Sequence, residues 1–147
     1  MNVKAKRQEG ASAVEFAIIL PLLLILVFGI IEFSILFYDK AMITNASREG
    51  AREGIVYRYD PDGVLNHPSD SEIVATVAQY VQNHLISFDS DDVVTTTITR
   101  PGDSPGDSLT VTVNYDYTFL VFDSLLSLVG GSLDGISLDA VTIMRME

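Results

Sequence analysis

Residues 9–57, EGASAVEFAIILPLLLILVFGIIEFSILFYDKAMITNASREGAREGIVY, decide how the rest of the chain is arranged. No charged side chain occurs over 16–31, and the apolar character runs on through Tyr38 with Glu32 as its interruption. At a helical rise of 1.5 Å per residue, residues 16–37 would cover about 33 Å, the thickness of a bilayer's hydrocarbon. The stretch therefore predicts one long helix over 11–57 whose first half, residues 16–38, spans a membrane. A removable secretory signal has a shorter apolar region of about 7–15 residues. Here the helix runs on into Phe37, Tyr38, Asp39 and Lys40, as a retained segment does.

Charge orients the helix. The first seven residues hold Lys4, Lys6 and Arg7 and no acid, whereas residues 59–147 hold fourteen acids against Arg100 and Arg145. The positive-inside rule keeps the basic flank in the cytoplasm and sends the acidic part outward. Nucleic acid is excluded as a partner, because its recognition needs clustered Lys and Arg. The chain of 147 residues has no cysteine, hence no disulfide and no thiolate nucleophile, and the outer part must hold together by packing.

The most informative local pattern precedes the span. The basic leader, residues 1–10, ends in Gly10; Ala11, Ser12, Ala13 and Val14 follow, and Glu15 and Phe16 lie just inside the apolar run. This resembles the processing site of type IV prepilins, and the Glu-Phe pair resembles the Tad/Flp branch. VEFAIILPLLLILVFGIIEF followed by NASREGAR is similar to the N-terminal signature of the TadE-like family of minor pilins or pseudopilins. That resemblance implies cleavage by a prepilin peptidase between Gly10 and Ala11, with Glu15 and Phe16 as assembly determinants. It also implies a subunit of a Tad (type IVc) adhesion pilus, held in the bacterial inner membrane with its N-terminus cytoplasmic and its C-terminal domain outside. Its expected partners are the membrane, the peptidase, other pilins and Tad assembly proteins, and a second copy or a related pseudopilin. Pilins usually begin the mature chain with Phe or Met, whereas Ala11 is small. The alternative is a single-pass, inner-membrane-anchored, partner-binding protein that keeps its leader.

Within the span, Pro21 removes the bond to the carbonyl of Ala17 and favours a kink. Beyond Tyr38, Ala46, Gly50 and Gly54 recur every four residues and form one stripe flanked by Arg48, Glu49, Arg52 and Glu53. Each glycine costs a helix about 1 kcal/mol relative to Ala, which argues for close packing along the stripe. Either the chain's own outer domain or another subunit would supply the contact.

The turn-rich segment RYDPDGVLNHPSD (58–70) ends the long helix and opens an outer domain over 58–147. Asp70 or Ser71 caps a second helix running to Ile86, with Val74, Val77, Ala78, Val81 and Leu85 on its buried face. VVTTTITR (93–100) has the composition of a strand, PGDSPGDS reads as a hairpin loop, and LTVTVNYDYTF alternates strictly. LVFDSLLSLVGGS is too short to span and is expected to cover the sheet or, as the alternative, to touch the membrane surface, while ISLDAVTIMRM forms a third strand with Ile136, Leu138, Ala140 and Met144 on one face. The fold class is α+β: a long membrane helix, one further helix and a three-stranded antiparallel sheet.

Catalytic constellations are absent from the pattern. His67 and His84 have no companions at zinc-binding spacing. Asp60, Asp62 and Gly63 imitate the start of a calcium loop without its later ligands, and Asp89, Asp91 and Asp92 form a second acidic turn; both read as solvated. No serine has a nucleophile-elbow context. The expectation is a structural part with no cofactor, no metal and no enzymatic activity.

Overall fold

The computed structural model describes residues 3–59, 62–86, 94–127, 130–132 and 135–146. Helix α1 runs from Val3 to Gly54. Strands β1 (Arg58–Tyr59) and β2 (Leu65–Asn66) form a small antiparallel hairpin, followed by α2 (Asp70–His84). Then come β3 (Val94–Thr99), β4 (Ser108–Tyr117), the short helix α3 (Val121–Ser127) and β5 (Ile136–Arg145). Strands β3, β4 and β5 form one antiparallel sheet in that order. This is the expected α+β architecture, and the β1–β2 hairpin is an addition to it.

Strand β4 is central, paired on both edges, and its alternation is complete. Leu109, Val111, Val113, Tyr115 and Tyr117 are all buried, and the register sets Val111 between Ile98 and Thr142 and Tyr115 between Val94 and Leu138. A one-residue slip would turn this apolar set to the other face, so the pattern fixes the register. Thr95, Thr97 and Thr99 of β3 point to the opposite, exposed face. The outer part of α1 packs on the inner face of β4 and β5, and α2 packs against α1 and β3. Ile43, Ala46 and Ala51 of α1, Ile73, Val77 and Val81 of α2, and Leu138 and Ala140 of β5 complete one core. The long helix is therefore divided along its length, with its outer half an integral element of the domain.

Two boundaries differ from expectation. The helix stops at Gly54 instead of Tyr57, its last turn closed by the Ile55 N–H on the Ala51 carbonyl at 3.2 Å. The N-cap of α2 is Ser69, one residue before Asp70. The Glu72 N–H donates to Ser69 Oγ at 3.4 Å and the Ser69 N–H donates to Glu72 Oε2 at 2.8 Å, a reciprocal capping box. Asp70 is engaged instead by Arg100, at 2.5 Å. Ile73, seated against Gly54, enters the core with Val77 and Val81, while Val74 and Ala78, expected inside, are exposed.

The segment LVFDSLLSLVGGS does not cover the sheet, the first of its two expected roles. Its helical part, α3, packs on α1 and makes no comparable contact with the sheet. Aromatic packing explains the choice: Phe122 stands 6.2 Å and Phe119 6.4 Å, centroid to centroid, from Phe33 of α1. Phe119 is in turn 5.5 Å from Tyr117, at the end of β4.

Candidate functional site

The site is the long helix itself. From Val14 to Ile31 its large apolar side chains, Leu20 excepted, are exposed, Ile18 to 72% and Leu22 to 69%, and Phe37 remains 68% accessible although Leu36 beside it is buried by the domain. Only 6% of the most apolar window is buried inside the protein, whereas a soluble protein's core helix would be mostly buried. The helix is long and apolar enough to cross a membrane.

Gly10, Ala11, Glu15 and Phe16 are all exposed. A Cβ placed on Gly10 would meet nothing within 4 Å. The backbone is helical through Gly10, and the helix continues across Pro21 without interruption. The Gly10–Ala11 bond therefore lies within a helix and not in the extended strand that a protease cleft accepts.

Ala46, Gly50 and Gly54 are buried against the chain's own domain. A Cβ on Gly50 would come 2.5 Å from Val77 Cγ2, and one on Gly54 would come 2.5 Å from Leu109 Cδ2 and 2.6 Å from Ile73 Cδ1. The glycines thus let α2 and β4 approach the helix backbone. Beside them the Ser47 and Thr142 hydroxyls share a hydrogen bond of 2.8 Å between α1 and β5. On the opposite face, Arg52 pairs with Glu49 at 2.5 Å and holds its carboxyl below the usual range through that hydrogen bond. The pair is solvent-exposed and adds little to stability.

Two buried acids tie α1 to the domain. Glu32 is only 3% exposed, and its carboxylate accepts from the backbone N–H groups of Leu120, Val121 and Phe122, the last two at 3.0 Å. These are the N–H groups that begin α3 and would otherwise lack acceptors. The helix dipole adds to the attraction, since a carboxylate at a helix N-terminus is favourable. The Tyr117 hydroxyl donates to the Glu32 carbonyl at 3.4 Å. One helical turn away, Gly29 admits the Phe122 ring, which would stand 3.1 Å from a Cβ there. Two turns beyond Glu32, buried Asp39 accepts the Ile86 N–H at 3.0 Å and so fastens the end of α2. Glu32, Gly29, Asp39 and Ile73 escaped the sequence analysis. For Glu32 a signal existed, because a lone acid in an apolar run demands a partner.

The other polar candidates gather no reactive arrangement. His67 stacks on Tyr57 at 3.9 Å and His84 on Tyr80 at 4.4 Å. Arg100 is held by Asp70, Asp103 and the Pro68 carbonyl. Among the described residues no three His, Cys, Asp or Glu side chains converge as a metal site would require. Asp60, Asp89, Asp91 and Asp92 lie outside the described residues.

The helix thus combines a bare apolar half, an acid just inside it, and an outer half built into a domain. Residues 10–52 match the family model of TadE-like proteins. The TadE-like match begins at Gly10 and ends within the packed stripe, so it covers both halves of α1 and none of the sheet. Comparison with curated proteins and with solved structures finds no match.

Proposed function

We propose that the chain is a TadE-like minor pilin or pseudopilin that is processed by a prepilin peptidase and takes part in assembling a Tad (type IVc) adhesion pilus. It would be the peptidase's substrate and a structural subunit, not an enzyme. The observation that carries this reading is the division of α1 along its length. A domain that grips only the outer half of a helix leaves the other half as an apolar handle. Inner-membrane lipid covers that handle before assembly, and the corresponding helices of neighbouring pilins cover it afterwards.

Processing after Gly10 would remove Lys4, Lys6 and Arg7 and create an amine on Ala11, about one helical turn from Glu15. A carboxylate near hydrocarbon costs about 2.5–3.5 kcal/mol unless it is paired, and the new amine, on the same or a neighbouring subunit, supplies a partner. Phe16 would pack beside that pair. The domain faces outward under the positive-inside rule.

One observation favours a second reading. The helix is unbroken at Gly10, so cleavage requires the first turns to unwind, whereas an anchored partner-binding protein would keep its leader and its helix. Intact-mass measurement after co-expression with the peptidase separates the two. The expected result is loss of ten residues from the parent and retention of the full mass in Gly10→Val. A parent that keeps its leader would refute the pilin reading.

A further inference from the structure

Helix α3 sits lower than the rest of the domain. It touches α1 at Gly29, Glu32 and Phe33, a level at which Ile30 and Ile31 emerge elsewhere on α1, 61% and 49% accessible. Measured from Phe16, a hydrocarbon core of about 30 Å ends near Leu36, so this level lies about 5–10 Å inside its outer limit. Whatever covers Ile30 and Ile31 there surrounds α3 as well.

A segment at that depth has to satisfy its polar groups without water. Helix α3 does so. Its opening N–H groups are taken by Glu32. On its outward face, Ser124 Oγ donates to the Leu120 carbonyl at 2.8 Å and Ser127 Oγ to the Ser124 carbonyl at 2.7 Å. The Gly130 N–H returns to the Ser127 carbonyl at 3.2 Å. Ser34, inside the apolar half of α1, uses the same device toward the Ile30 carbonyl at 2.6 Å. Leu120, on the face that carries Ser124, is 53% exposed, an apolar side chain with no covering element among the described residues.

We infer that α3 is a foot seated in the outer leaflet, with lipid chains covering Leu120 and the outward face of α3, and with Glu32 replacing water at the first N–H groups. This rests on reading α1 as a membrane span. The lipid contact would fix the height and tilt of the domain over the bilayer before the subunit is withdrawn into a filament.

The cysteine-free sequence permits a direct test on the full chain. Single cysteines at Leu120, Ser124, Ile30 and Thr97 are spin-labelled in phosphatidylethanolamine–phosphatidylglycerol vesicles. Collision with dissolved oxygen and with an aqueous nickel chelate is then measured. Labels at Leu120 and Ser124 should lose nickel collisions relative to Thr97 and gain oxygen collisions, as Ile30 does. Nickel access at both positions equal to that of Thr97, with Ile30 still in lipid, overturns the foot and leaves the span standing. Nickel access at Ile30 as well overturns the span and the foot together. Protection of Leu120 and Ser124 from both reagents means that protein, such as a second copy, covers α3, and overturns the lipid assignment. Two labels on one face keep the test decisive if one variant fails to insert.

Discussion

Substituting Gly50 sets helix propensity against packing, and the structure decides which wins. Alanine at an interior helical position recovers about 1 kcal/mol over glycine. Its Cβ, however, would stand 2.5 Å from Val77 Cγ2, closer than any real carbon contact, with Ile73 Cγ2 at 3.4 Å and Val111 Cγ1 at 3.6 Å behind it. Val77 cannot step aside cheaply, being fully buried and β-branched, with a stiff χ1 in a helix. Overpacking of this kind costs about 1–3 kcal/mol, so Gly50→Ala should lose up to about 2 kcal/mol net. Gly50→Leu, which must displace both Val77 and Val111, should lose about 3 kcal/mol or more. Arg48→Leu, on the exposed face, should stay within about 0.5 kcal/mol of the parent. Denaturant unfolding of the full chain in micelles, followed by near-ultraviolet circular dichroism, measures these differences. Tyrosine reports the core directly, because Tyr115 and Tyr117 are buried and the chain has no tryptophan. If Gly50→Ala gained the full propensity increment, α1 would not be pressed against α2, and the stripe would have to face another subunit.

Other outcomes follow from the acids and the caps. Glu32→Ala leaves the opening N–H groups of α3 without acceptors and should cost about 2 kcal/mol or more. Hydrogen exchange over 120–127 in micelles should then quicken roughly 30-fold, and unchanged exchange would show that the carboxylate does not hold α3. Ser69→Ala should destabilise α2 by about 1 kcal/mol at neutral pH, read by the same unfolding assay. Hydrogen bonds from the Ser69 hydroxyl and then its N–H lower the Glu72 carboxyl from its ordinary 4.5. Its contribution is therefore complete above that value and lost as pH falls through the lowered one. The stability difference between parent and Ser69→Ala should accordingly shrink in acid, and a difference that grew would reverse the sign of the argument. Glu15→Gln should insert and be cleaved normally yet fail to enter pili, and parental incorporation would remove Glu15 from the assembly mechanism.

What could be read from the residues was whatever repeats locally. The alternation of β4 from Leu109 to Tyr117 gave its buried face, and the apolar run over 16–38 gave a membrane-length helix. Helix α2 shows where a local pattern fails. Its apolar positions suit a face containing Val74 almost as well as one containing Ile73, and the seats that Gly54 and Gly50 of α1 offer to Ile73 and Val77 settle the matter. Glu32 shows a different limit. Its partners are backbone N–H groups of residues 120–122, which no side-chain motif advertises and which lie 88 to 90 positions away. The placement of α3 followed from the same hidden contact, since an apolar segment beside a sheet is ordinarily expected to cover it.

The hydroxyl pair of Ser47 and Thr142 joins positions 95 apart in the chain, and that distance has a temporal meaning. Synthesis proceeds at about 5–20 residues per second, so the face of α1 that receives β5 exists for roughly 5–20 s before its partner strand has been made. Through that interval the Ser47 side of α1 lacks its β5 partner, although α2, made earlier in the chain, can already lie against Gly50 and Gly54. The newborn chain therefore presents that side of α1 to other proteins before the fold is complete. A chaperone that shields the emerging helix, or synthesis fast enough to shorten the wait, would govern the yield of folded chain independently of how stable the finished fold is.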